Sequence, residues 1–372
     1  MWSFWEKESF IGQPDYIIIG SGIVGLSAAI QIKNKRPNSS ILIIEAGHLP
    51  SGASTKNAGF TCFGSPSELL MDLEESNPKD VFELVKRRYD GLAALRETLG
   101  DKNIAYESPG SYELFTDKSS YDKTSHELHN LNQEALQVLG FSPYEIDSQI
   151  VDHLGFKDFS GAIRIHGEGQ INTGKMMKSL ISKALSLNIQ IINGLKVREI
   201  FHEENHIDIV TDSGIIKCTK CLVATNGFAK KLLPDLDISP ARAQVLLTKP
   251  IENLKIQGTF HFDRGYYYFR NIGDRILFGG GRNLDIKGEE TSEMKINVNI
   301  QQKLKKVLSE SILPNHNFEI AQQWVGIMGI GKEKKPILKE INSGLYCAAR
   351  LGGMGIAIGT LVGQEVADLM VQ

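Results

Sequence analysis

The chain has 372 residues, 41% hydrophobic and 23% charged, with a formal net charge of −3. That length supports a large core or two interleaved ones, and the charge lacks the basic excess that a nucleic-acid partner demands. No run approaches the about 18 apolar residues of a spanning helix, and MWSFWEKESF has neither the basic start nor the apolar stretch of a secretory signal. Trp2, Phe4, Trp5 and Phe10 are expected to pack onto the protein's own surface, with membrane contact as the alternative. Cys218 and Cys221 form a CxxC without a second cysteine pair or a spaced histidine pair, so no metal site is expected. Four cysteines in a chain this long point to a reducing, cytoplasmic compartment rather than a disulfide framework.

In chain order, YIII at 16–19 reads as a strand buried on both faces, followed by GSGIVG, a helix, and a second apolar strand, ILIIE, ending at Glu45. This is a βαβ unit with a dinucleotide fingerprint in its proper context. Gly20 suits the tight turn, Gly22 the approach of backbone to a pyrophosphate, and Gly25 the close packing of helix on strand. Ser21, Ile23 and Val24 lie in the same turn, whose helix N-terminus favours phosphate. Glu45 is expected to accept from the adenosine ribose. The fingerprint alone does not separate NAD from FAD.

The loop AGHLPSGASTKNAGF, 46–60, is too rich in small residues for an immediate helix and can run its backbone along a pyrophosphate to a flat ring. Residues 66–149 are mostly helical, with DVFELVKRRYDGLAALRETL apolar on one face. GQINTGKMMKSLISKALSLNIQII reads as loop, helix and strand. GLKVREI then opens a β-meander that ends in a buried strand and Thr225-Asn226-Gly227. HFDRGYYYFR and RILFGGGR, separated by NIGD, read as a hairpin. The chain closes with a strand, a glycine loop and a helix in SGLYCAARLGGMGIAIGTLVGQEVADL.

In this order the motifs GSGIVG with Glu45, GASTKNAG, GQINTGK, LKV, LVATNG and GLYCAARLGGMGIAIG resemble the D-amino-acid oxidase superfamily of flavoproteins, particularly its glycine oxidase and sarcosine oxidase group. The resemblance covers essentially the whole chain. It implies an α/β fold: a Rossmann-type, glutathione-reductase-like FAD-binding domain interleaved with an α+β substrate domain on an antiparallel sheet. The FAD-binding pieces are then 1–65, 150–235 and 322–372, and the substrate domain is 66–149 with 236–321. The implied cofactor is FAD, held without a covalent bond, since no cysteine occurs between Cys221 and Cys347. By the same resemblance the cofactor lies along Ala46, Gly52, Ala53, Ser54, Thr55, Lys56, Asn57, Ala58 and Gly59. It also meets the Val197 backbone, Ala224, Thr225, Asn226, Gly227 and Gly326.

The resemblance implies dehydrogenation of a C–N bond in a small amine or amino acid, by hydride transfer to flavin N5 and hydrolysis of the imine. Oxygen or a quinone would be the electron acceptor. A flavin-dependent 2-hydroxy-acid or polyol dehydrogenase, or an accessory FAD-binding subunit, are the alternatives. Gly352, Gly353, Met354, Gly355 and Ile356 would bring backbone and a helix N-terminus to the ring edge that becomes negative on reduction. Glycine oxidase-like members carry a carboxylate-clamping arginine in a pattern like WxGLRP. Here QQWVGIMGIGKEKKP places Met328 and Gly329 there. Arg350, Arg270, Arg282 and Lys332 are the candidate replacements, Arg350 standing where a glycine or small residue is usual. Arg350, Tyr268 and Arg270 are the catalytic candidates. Strand alternation sets Tyr266, Tyr268 and Arg270 against Tyr267 and Phe269. His166 and His261 are possible proton acceptors.

Overall fold

A computed structural model describes residues 1–372. Apolar runs without alternation demand cover on both faces, and Tyr16–Ile19 and Ile41–Glu45 are buried throughout. They sit inside a six-stranded sheet in the order Ile337–Asn342, Leu345–Ala349, Lys220–Val223, Tyr16–Ile19, Ile41–Glu45, Gln190–Asn193. Only the edge strand Ile337–Asn342 runs antiparallel to its neighbour. On one face Ile18 and Ile43 meet Leu26, Leu180, Ile358 and Val362 from helices Ile23–Lys35, Thr173–Ser186 and Gly355–Met370. On the other, Ile17 and Leu42 meet Ile209 and Ile216 of a three-stranded meander, Val197–His202, Ile207–Thr211 and Gly214–Cys218. Each such fully buried side chain stabilises by about 1.5–3 kcal/mol before entropy is counted.

A second sheet has eight strands, ordered Ile320–Ile330, Ser239–Thr248, Arg275–Gly280, Tyr267–Ile272, Thr259–Phe262, Ser111–Phe115, Gly161–Ile165, Tyr144–Ile146. All its pairings are antiparallel except Thr259–Phe262 with Ser111–Phe115. The expected hairpin is present, with Ile272 opposite Arg275. One face stacks Phe260 on Phe269, their ring centroids 4.8 Å apart, under Ile300 and Leu304 of helix Val298–Val307.

Three elements depart from the expected division into cofactor and substrate pieces. Gly161–Ile165 and Ile320–Ile330, expected with the cofactor pieces, hydrogen-bond into the eight-stranded sheet. Ile320–Ile330 pairs with Ser239–Thr248, some eighty residues earlier, and pairing at that range leaves no local periodicity to read. Helix Pro78–Leu99, expected in the substrate domain, buries Leu84, Leu95 and Leu99 in the helical layer of the six-stranded sheet. Its Arg87 pairs with Glu365 of the closing helix.

Of the four N-terminal aromatic residues only Trp2 packs inward, against Gly214, whereas Phe4, Trp5 and Phe10 are exposed. Cys218 and Cys221 are free, buried and divided between two sheets. No helix is long and apolar enough to cross a membrane.

Candidate active site

The turn after Tyr16–Ile19 opens into a cavity of about 640 Å³ whose walls come from both ends of the chain. That volume falls in the ordinary range for small-molecule and cofactor sites, about 300–1,000 Å³. Gly20, Gly22, Ile23 and Val24 line it at the start of helix Ile23–Lys35. A Cβ at Gly25 would lie 2.0 Å from the Gly20 carbonyl oxygen, so only glycine lets this helix approach its strand. Glu45 lines the same wall and accepts hydrogen bonds from Ser21 N (3.1 Å), Ser21 Oγ (2.9 Å), Gly47 N (3.0 Å) and Ser51 Oγ (3.1 Å). Those four bonds fix the carboxylate at the end of its strand, where a ribose hydroxyl would meet it.

The 46–60 loop folds onto itself. Thr55 Oγ1 donates to Pro50 O (2.6 Å), and Asn57 donates to Ala53 O and Ser54 O while accepting from Gly59 N and Thr173 Oγ1. Ser54 Oγ accepts from Ile23 N at 3.0 Å, linking the loop to the helix N-terminus. Ala46, Gly52, Ala53, Ser54 and Asn57 line the cavity. Val197, Ala224, Thr225 and Asn226 also line it, as do Gly353, Gly355 and Ile356, where helix Gly355–Met370 begins without a side-chain cap. Thr225 Oγ1 is buried with no protein partner, so a polar ligand group is called for beside it.

Other expected cofactor residues do not line the cavity. Ser21 turns to Glu45, and Gly25 packs on the strand. Thr55 is turned to Pro50, and Lys56 offers its carbonyl to Trp324 Nε1 (2.9 Å) while its Cβ side abuts Gly326. Gly227 packs on the Met328 carbonyl, and the Gly352 amide donates to Gly329 O. Met354 turns its sulfur to Cys62, 3.7 Å away. Conversely, Lys196, Arg198, Phe228, Lys231, Leu232 and Ile327 line it and were not anticipated. Phe228 and Lys231 follow Thr225-Asn226-Gly227 in one short 3-10 turn, a signal that was available.

Ala58 and Gly59 lead from the cavity to the eight-stranded sheet. Ala58 packs with Val245, Leu277 and Tyr268, and Phe60 meets the Tyr268 ring edge-on at 5.8 Å. Six strands present Glu113, His261, Tyr268, Gly279, Val245 and Trp324 in register on this face. Gly279 is needed there: a Cβ would stand 2.6 Å from the Tyr268 ring, which lies across it. Arg270 shares the face, while Tyr267 and Phe269 point into the aromatic core. The face toward the 58–60 loop is therefore that of Tyr268 and Arg270.

Arg270 is buried, and its one hydrogen bond is long, 3.4 Å to Gly59 O. Its Nε has no partner. Burial pushes the guanidinium down to about 10, with Glu107 opposing, so it stays charged. Burial also raises the Tyr268 phenol to about 12 and drops His261 to about 4, leaving both neutral. His261 Nε2 is unpaired. His166, by contrast, is exposed beside Glu145 at 2.9 Å. Arg282 lies over the Tyr266 ring, and Lys332 is exposed.

Arg350 does not line the cavity. Its side chain points away from the glycine loop to Asp237 (2.7 Å), Glu333 (3.3 Å) and Lys335 O (3.0 Å). The expectation that it meets substrate or flavin is corrected to a structural ion pair.

A glycine turn at a buried strand, an acid at the next strand's end and a long cavity reaching a second helix N-terminus define a dinucleotide-binding oxidoreductase. Over residues 15–369 the chain matches the family model DAO, FAD dependent oxidoreductase, and it belongs to that family. It is 26% identical over 371 residues to the probable oxidoreductase OrdL of Rhizobium meliloti, covering 96% of this chain and 83% of that protein. Among solved structures it resembles L-proline dehydrogenase from P. horikoshii (TM-score 0.77, 17% identity, 96% and 93% of the two chains). Glycine oxidase from Bacillus cereus is similar at TM-score 0.76 and 19% identity, with 96% and 97% covered. The protein is an FAD-dependent oxidoreductase.

Proposed function

We propose that this chain dehydrogenates the C–N bond of a small amino acid or related amine whose carboxylate rests on Arg270. The observation that carries this reading is the buried, unpaired guanidinium on the sheet face beside the cavity loop. FAD, when bound, supplies the acceptor for the hydride that leaves the carbon next to nitrogen. Gly20, Gly22 and Ser54 would hold its pyrophosphate, Glu45 its ribose, and Gly353, Gly355 and Ile356 its ring edge.

The remaining work falls to the sheet face. Arg270 fixes the carboxylate and so aims the reacting carbon. Phe60, Tyr268 and Trp324 exclude water, which favours the neutral amine whose lone pair drives hydride departure. Water then adds to the imine carbon, releasing the amine and leaving a carbonyl. The relatives named for glycine and L-proline act on molecules that combine amine and carboxylate, which supports this class.

The test is anaerobic addition of matched amino acids, simple amines and 2-hydroxy acids to the yellow protein. Amino acids are expected to bleach the flavin bands, and bleaching by hydroxy acids alone overturns the reading. Met328 at the usual clamp position favours a second reading, an FAD-holding subunit without its own substrate. Bleaching by dithionite and by no organic compound supports that instead.

A further inference from the structure

We propose that Arg350 is a positioning residue that ties the cavity's glycine loop to the 331–336 segment and, through it, to helices Pro66–Glu75 and Pro78–Leu99. The inference rests on the reading that Leu351, Gly353, Gly355 and Ile356 wall the flavin site. Arg350 has φ +64°, the left-handed region that suits glycine. A bulky residue holds that conformation only where its surroundings fix it.

Here they do so from both ends. Asn226 Oδ1 accepts from the Arg350 amide at 3.0 Å and from Leu351 N at 3.4 Å, and Asn226 and Leu351 both line the cavity. The side chain, only 7% exposed, donates to Asp237 Oδ2 (2.7 Å), Asp237 O (3.1 Å), Lys335 O (3.0 Å) and Glu333 Oε2 (3.3 Å). Gly331 lies against its stem, where a Cβ would be 2.5 Å from Arg350 Cδ.

The segment that Arg350 holds also reaches outward. Lys334 Nζ pairs with Glu68 (2.8 Å) and Asp72 (2.6 Å) of helix Pro66–Glu75, and Lys335 with Asp80 (2.8 Å) of helix Pro78–Leu99. Exposed pairs are weak alone, but Glu68 and Asp72 are largely covered, and several bonds sharing one short segment fix it better than one. The 331–336 stretch, which follows the strand that lacks a carboxylate clamp, thus serves as a strap. It holds the loop amides in one place relative to the helices, and amides act on a developing charge only when so placed.

The test compares Arg350→Gly, Arg350→Lys and Asp237→Asn with the unaltered protein. Arg350→Gly suits the left-handed backbone, so the chain is expected to fold. We expect Arg350→Gly and Asp237→Asn to weaken FAD binding by about tenfold, to shift the flavin spectrum and to move its midpoint potential, with Arg350→Lys in between. Unchanged affinity, spectrum and potential in Arg350→Gly overturn the proposal. In the FAD-free chain, limited proteolysis within 331–336 reads the tie directly. Faster cleavage in both variants supports it and unchanged cleavage overturns it, and this holds even if the unaltered protein binds no FAD, a result that would sink the flavin reading separately.

Discussion

Arg270 and Arg350 are both buried, yet they differ in what surrounds them. Arg350 has acids at 2.7 and 3.3 Å, whereas Arg270 has no carboxylate within ion-pair distance and an unused Nε. An unpaired buried cation costs stability, so Arg270 is held for a purpose other than folding. Replacing it by leucine is therefore expected to leave the thermal midpoint unchanged or raised. Steady-state kinetics should show the opposite cost: losing charge-assisted bonds of about 1.5–3 kcal/mol lowers kcat/KM for a carboxylate substrate roughly 10- to 150-fold. Arg270→Lys should fall between, since a point charge does not reproduce the planar fork. A leucine variant that keeps full kcat/KM removes Arg270 from the site.

Where helix Pro66–Glu75 meets the eight-stranded sheet, buried carboxyls give a second prediction. Burial raises Glu113, which accepts from Ser67, to about 7, and likewise Glu168, which accepts from Ser111 Oγ (2.6 Å) and Phe63 N (2.9 Å). A carboxyl raised above its unfolded value of 4.5 binds more protons folded than unfolded. Its stabilising contribution is therefore complete below pH 4.5 and lost as pH rises through 7, at most roughly 3 kcal/mol per group. His261 works the other way, since its lowered value removes stability as pH falls from 6.5 through 4. Two carboxyls against one imidazole leave a net decline in stability between pH 4.5 and 6.5, and a steeper one from 6.5 to 7. Urea midpoints across pH 4.5–8 test this, and Glu113→Gln should flatten the decline.

These elements also mark what the sequence discloses. The βαβ turn and the 266–280 hairpin were legible because strand burial and turn chemistry are local. The partner of Ile320–Ile330 and the direction of the Arg350 side chain were not, because one depends on long-range pairing and the other on a left-handed backbone.

At the scale of the molecule, the cavity is walled by three distant stretches, around residues 19–57, 195–232 and 327–356. None encloses it alone, so the unfolded chain has no comparable site. A ligand that binds only the folded form stabilises by RT ln(1 + [L]/Kd), about 2.7 kcal/mol at a hundredfold excess over Kd. Helix Pro78–Leu99 gives leucines to the six-stranded sheet's helical layer and Val81, Phe82 and Val85 to the layer beside the eight-stranded sheet. A helix shared by two cores couples their unfolding. Added FAD should therefore raise one thermal transition as a whole, rather than splitting off a stabilised half. Calorimetry of the FAD-free and FAD-loaded chain decides this: two transitions, of which only one moves with FAD, would show that the shared helix does not couple the cores.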